Sequence, residues 1–222
     1  MNIFLFSVLL KALFPPRCLC CRVLIDTESP LCDNCDLLWR AERDASRKRD
    51  GFRRTDGTFY LAAYTKGRSV ARTLVLCAKR SNERRLYKFF ADEMVELIAG
   101  HNITADYIVN VPRRPAAVRN TGVDQAQLTA KALAAATGIP YLSALRHRNF
   151  TRAQKTLDAA QRAGNAASAY KSARGAETKL ADKTVILVDD VATTGSTLAA
   201  CEMLLRTAGA ARVIKIAAAS AG

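Results

Sequence analysis

Residues 185–198 read VILVDDVATTGSTL, and two kinds of chemistry meet in that stretch. The apolar run Val185–Val188 predicts a buried strand that delivers Asp189 and Asp190 at its C-terminal end. Open α/β sheets bind ligands at this edge. Thr193, Thr194, Gly195, Ser196 and Thr197 then offer hydroxyls and backbone N–H groups at the start of a predicted helix, which is an anion site. Gly195 lets the backbone approach the anion closely. Two acids facing an anion would oppose its binding. They agree with it if they accept hydrogen bonds from hydroxyls a few ångströms away, or hold Mg²⁺. A sugar phosphate satisfies both halves, with its diol on the aspartates and its phosphate in the loop. No G-K-[ST] follows, so this is not a P-loop, and G-x-G-x-x-G is absent too.

A second constellation lies near the N-terminus. Cys18-x2-Cys21 and Cys32-x2-Cys35 are two C-x-x-C units that together complete a tetrahedral shell of four thiolates, and soft four-coordination favours Zn²⁺. Cys20 leaves the first unit open, because Cys18 or Cys20 stands near Cys21. The x2 spacing matches the second unit and makes Cys20 the spare thiol. No His or carboxylate suggests an open coordination position, so the metal reads as structural, folding a segment too small to fold alone. Cys77 and Cys201 sit in apolar helical patterns and read as core residues.

The elements that must position these groups alternate. Thr58–Tyr64, Tyr107–Val111, Thr184–Val188 and Arg212–Ala218 read as strands, and Arg84–Ala99, Asp124–Ala136 and Ser196–Ala208 as helices. That rhythm predicts an α/β fold with a mostly parallel, doubly wound sheet. The charged run 36–57 reads as a solvated helix or linker that marks a boundary. In residues 1–16 the apolar run is too short to span a bilayer and is interrupted by Lys11; it reads as a docked helix stopped by Pro15 and Pro16. Seven cysteines in a chain of 222 residues fit a disulfide framework poorly, and the expected location is cytoplasmic.

The 185–198 segment resembles the phosphoribosyl pyrophosphate motif of type I phosphoribosyltransferases. That resemblance implies that Asp189 and Asp190 hold the ribose hydroxyls and that Thr193, Thr194, Gly195, Ser196 and Thr197 hold the 5′-phosphate. Joined to an N-terminal segment that contains FPPRC, the chain resembles the ComF (competence protein F) family along nearly its full length. Val111, Pro112, Arg113 and Arg114 look like the family's pyrophosphate loop. Residues 121–126, with Gln125, resemble its Arg-Gly-Phe-Asn-Gln-Ala motif, and Gln154 with Arg162 and Asn165 its Gln…Arg-x-x-Asn stretch. Thr121 stands where the family has Arg, and Asp124 where it has Asn; Arg119 offers a spatial substitute for the lost charge. The implied division is an N-terminal helix and Cys₄ module over 1–57 and a phosphoribosyltransferase-like domain over 58–222, using zinc, Mg²⁺ and phosphoribosyl pyrophosphate.

The net charge is +14, and residues 106–180 supply more than half of it. Pyrophosphate needs such compensation, and arginine forks suit it. Arg146, Arg148, Arg152 and Lys155 exceed what one small ligand requires and are candidates for a nucleic-acid surface, on which Phe150 and Tyr170 are candidates for base stacking. Two readings follow. One is a phosphoribosyltransferase linked by the resemblance to competence and DNA uptake. The other is a non-catalytic protein that binds single-stranded DNA or partner proteins in natural transformation.

Overall fold

The computed structural model describes residues 15–64, 67, 69–148 and 169–221. The expectations placed on residues 1–14 and on Phe150, Arg152, Gln154, Lys155, Arg162 and Asn165 lie outside the described residues. In chain order the elements are α1 (Asp33–Asp50), β1 (Phe59–Tyr64), α2 (Val70–Arg80), α3 (Arg84–Gly100), β2 (Tyr107–Asn110), α4 (Pro115–Thr121) and α5 (Gln125–Thr137). They continue with β3 (Leu145–His147), β4 (Tyr170–Ser172), α6 (Ala176–Leu180), β5 (Thr184–Ala192), α7 (Ser196–Thr207) and β6 (Arg212–Ala221).

Four strands form one sheet in the order β1-β6-β5-β2, and every pairing in it is parallel. Parallel neighbours need long crossovers, and the helices provide them. The all-apolar character of β5 follows from its central place. Side chains alternate across a strand, so Ile186 and Val188 enter one core while Val185 and Leu187 enter the other. The first core is closed by Trp39, Leu74, Phe90, Met94 and Leu133 from α1, α2, α3 and α5. The second is closed by Leu180, Leu198, Cys201 and Leu205 from α6 and α7. Helices on both faces make the sheet doubly wound, as the alternation of elements predicts. Strands β3 and β4 pair antiparallel in a small separate sheet.

Three differences from the sequence expectations matter for the site. Strand β5 runs on through the acid pair to Ala192, because β6 extends alongside it and pairs Asp189 with Ala217 and Val191 with Ala219. Helix α2 (VARTLVLCAKR) has no counterpart in the strand–helix rhythm beyond the apolar helical pattern around Cys77. Helix α1 is also more than a solvated marker. It buries Cys35, Trp39 and Ser46, and the Ser46 hydroxyl accepts the Ala63 N–H of β1 at 3.0 Å. Its Glu42 carboxylate accepts the Val70 and Ala71 N–H groups at 2.8 and 2.9 Å, capping α2 from another element. No helix among the described residues is long and apolar enough to cross a membrane.

Candidate functional site

Asp189 and Asp190 lie in β5 itself, so the pleat separates their side chains while both still line one cleft of 230 Å³. Asp189 is buried, 8% exposed, and its Oδ1 accepts the Asp190 N–H at 2.8 Å. Burial, and then the neighbouring Asp190 charge, push its carboxyl well above the usual aspartate range. Asp190 is half-buried, with its Oδ2 at 3.8 Å from the Lys79 ammonium of α2. The pair therefore divides into a buried carboxyl that resists ionisation and a more open one beside a cation.

The loop that follows carries Thr193, Thr194 and Ser196 exposed and Thr197 half-buried at the first turn of α7. Thr194 and Ser196 share a hydroxyl–hydroxyl hydrogen bond of 2.9 Å. Gly195 caps the helix at φ 79°, in the left-handed region, and a Cβ there would collide with the Asp56 carboxylate. Gly195→Ala is therefore expected to displace the loop and weaken ribose 5-phosphate binding by about tenfold or more, as read by calorimetry. Unchanged affinity would remove the loop from the site.

Opposite the acids, Val111, Pro112, Arg113 and Arg114 form the other wall of the cleft. The Val111 N–H donates to Val188 O at 2.9 Å, which ties this segment to β5. The Arg113 guanidinium turns toward the loop behind it and donates to Thr121 Oγ1 at 2.9 Å and Val123 O at 3.0 Å. Thr121 is thus an anchor for Arg113. Asp124 caps α5 by accepting the Gln127 N–H at 3.1 Å, and it also accepts the Arg113 N–H at 3.0 Å. Asp serves as well as Asn at such a cap. Burial raises the Asp124 carboxyl above its ordinary value, despite those two donors. Gln125 is buried in the cleft wall, and its Nε2 has no hydrogen-bond partner among the described residues.

Lys79 and Tyr170 are site residues that sequence reading missed in these places. Lys79 belongs to a helix that the sequence showed only as an apolar pattern around Cys77, and only tertiary packing brings it to Asp190. Tyr170, noted in the sequence as a base-stacking candidate, lines the cleft from β4, and burial pushes its phenol up to about 12. Arg119 is exposed on α4 and is not part of the cleft wall. Arg146 and Arg148 are exposed on and beside β3, away from the acid pair's lining, and Arg148 donates to Tyr170 O at 2.9 Å.

Residues 117–221 match the family described as the phosphoribosyl transferase domain. This segment is a phosphoribosyltransferase-type domain. Strands β1 and β2, which complete the phosphoribosyltransferase-like sheet, come from ahead of the matched segment. Among solved structures, the glutamine phosphoribosylpyrophosphate amidotransferase from B. subtilis complexed with ADP and GMP is 25% identical, over 73% of this chain and 28% of its own, with a TM-score of 0.41. A structure described as the allosteric regulatory enzyme of purine biosynthesis is 24% identical over the same shares, with a TM-score of 0.40. Leishmania donovani UMP synthase is 16% identical over 83% of this chain and 31% of its own, with a TM-score of 0.36. The chain spans less than a third of each of these structures. No curated protein matches it.

Ahead of the phosphoribosyltransferase-type domain, Cys18, Cys21, Cys32 and Cys35 bring their sulfur atoms within 4.8 Å of one another. Cys20 is not in the group, in keeping with the x2 spacing. A tight turn folds the first unit: the Cys18 N–H donates to Val23 O at 2.8 Å, and Arg22 takes φ 67°. Cys32 caps α1, and Cys35 sits in its first turn. Burial opposes ionisation of Cys18, but backbone N–H groups of Cys21, Cys32 and Cys20 outweigh it and hold the thiol down at about 6. Four convergent soft donors fit a metal ion with a closed shell. A tetrahedral zinc site with bonds of about 2.3 Å sets sulfurs about 3.8 Å apart, and the Cys21 and Cys32 sulfurs stand 3.5 Å apart.

Proposed function

We propose that this protein binds phosphoribosyl pyrophosphate, or a related sugar phosphate, in the cleft at the end of β5 and transfers or senses its phosphoribosyl group. The observation that carries this reading is convergence in one cleft: an acid pair, a hydroxyl-rich helix start and the 111–114 segment. Asp190 and Asp189 accept the ribose hydroxyls, and Thr193 to Thr197 hold the 5′-phosphate with hydroxyls and N–H groups. Arg114, exposed at the opposite wall, receives the pyrophosphate. Mg²⁺ bound with the substrate supplies neutralisation of the leaving charge. Gln125, whose Nε2 has no hydrogen-bond partner among the described residues, lines the same cleft. Residues 1–57 serve as a zinc-stabilised module and 58–222 as the ligand-binding domain, with both contributing to one hydrophobic core.

Calorimetric titration with phosphoribosyl pyrophosphate and Mg²⁺ tests the reading, with the Asp189→Asn/Asp190→Asn double variant as control. Binding that disappears in the variant supports it and justifies a screen of acceptor bases for pyrophosphate release. Absence of binding by the metal-loaded protein would sink it.

A second reading is favoured by one observation. Arg146, Arg148, Lys171 and Arg174 are all exposed on or next to the small β3–β4 sheet. This basic face suits single-stranded DNA and the DNA-uptake setting that the ComF resemblance implies. Under it, oligodeoxynucleotide binding falls steeply with salt, and the aspartate double variant leaves it intact.

A further inference from the structure

The turn between α1 and β1 reaches into the phosphate loop from outside the matched domain. Arg54 Nη1 donates to Ala192 O at 3.2 Å and to Ser220 Oγ at 2.7 Å, and Nη2 donates to Thr193 O at 2.6 Å. Its Nε lies 3.4 Å from Asp56 Oδ2, and the side chain is only 20% exposed. The turn is itself fixed. The Arg54 N–H donates to Thr58 O, the Thr58 N–H to Asp56 Oδ1 and the Lys215 ammonium to Asp56 O, at 2.9, 2.9 and 3.0 Å. Asp56 in turn packs against Gly195.

These contacts have a consequence for anion binding. A loop at a helix start attracts an anion only if its N–H groups face the ligand and its carbonyl oxygens face away. Ala192 O and Thr193 O stand where β5 leaves the ladder, and the guanidinium fork takes both. We propose that Arg54 is a positioning residue for the phosphate loop, so that the anion affinity of residues 193–197 is set by the segment that links the cysteine module to the sheet. The proposal rests on reading that loop as the phosphate cradle.

Arg54→Ala and Arg54→Lys, made in the full metal-loaded chain, test it. Ribose 5-phosphate and Mg–pyrophosphate are titrated separately, and amide exchange at 193–197 is followed without ligand. The expected result for Arg54→Ala is a loss of about tenfold in ribose 5-phosphate affinity with pyrophosphate affinity unchanged. Loop amides exchange faster, and Arg54→Lys recovers part of the loss because it keeps the charge without the fork. Should Arg54→Ala not fold, Arg54→Lys carries the same comparison with a smaller loss. Equal loss of both ligands, or unchanged ribose 5-phosphate affinity, would overturn the positioning role. If the intact protein binds neither ligand, the phosphate reading itself has failed. Amide exchange then decides alone: faster loop exchange upholds the bracing role, and unchanged exchange ends it.

Discussion

If the cysteine cluster holds zinc as proposed, removing it by chelation or by Cys32→Ser with Cys35→Ser is expected to expose Trp39 and shift its fluorescence to the red. The readout is clean because the chain has one tryptophan. Trp39 is 1% exposed, one helical turn beyond Cys35, with its ring 5.3 Å from Phe89 and 6.5 Å from Phe90. Residues 15–31 form no helix or extended ladder and are held by turns, the Arg17–Leu24 bridge and the burial of Leu19 and Leu31 in the first core. Structural zinc supplies about 10–16 kcal/mol to small peptides, comparable to the whole stability of a domain at about 5–15 kcal/mol. Its loss therefore removes the start of α1. Helix α1 carries Glu42, which caps α2, and α2 carries Lys79 to Asp190. A second consequence is a measurable drop in sugar-phosphate affinity. Trp39 emission that stays blue after all metal has left would show that the module stands on packing alone.

The strands and the acid pair were legible because their signals are local. The run Val185–Val188 is apolar on both faces only because β5 is central, and the acids and hydroxyls follow it directly in sequence. The cysteine spacing was legible for the same reason. Helix α1 was legible only as a solvated helix or linker, because only Cys35, Trp39 and Ser46 among its eighteen residues are buried and its many charges hide that packed face. Lys79 and Arg54 reach the site through long-range packing, with no spacing in the chain to announce them. The departures at Thr121 and Asp124 looked like a changed charge balance. In three dimensions they are an anchor for Arg113 and a helix cap.

Asp189→Asn alone is expected to move stability and binding in opposite directions. Burial and the adjacent Asp190 raise the Asp189 carboxyl, so the folded state holds that proton more tightly than the unfolded chain does. Stability from this group is fully present below the ordinary aspartate value of about 3.9 and is lost as pH rises through the raised value. At neutral pH the wild-type protein bears that cost, and asparagine does not. The carboxamide oxygen of the substituted side chain can still accept the Asp190 N–H that Asp189 takes at 2.8 Å, so the local geometry survives. The variant should melt higher than wild type near pH 7, with the difference shrinking toward about pH 4. Ribose 5-phosphate affinity should fall by about a hundredfold, the loss of one or two charge-assisted hydrogen bonds at about 1.5–3 kcal/mol each. Ligand binding must supply the energy that keeps this carboxylate ionised, so affinity in the wild type should rise with pH over the range in which stability declines. A variant that melts higher yet binds as tightly as wild type would place the ribose elsewhere. One that melts lower at neutral pH would mean the acid pair is stabilised by a cation in the folded state.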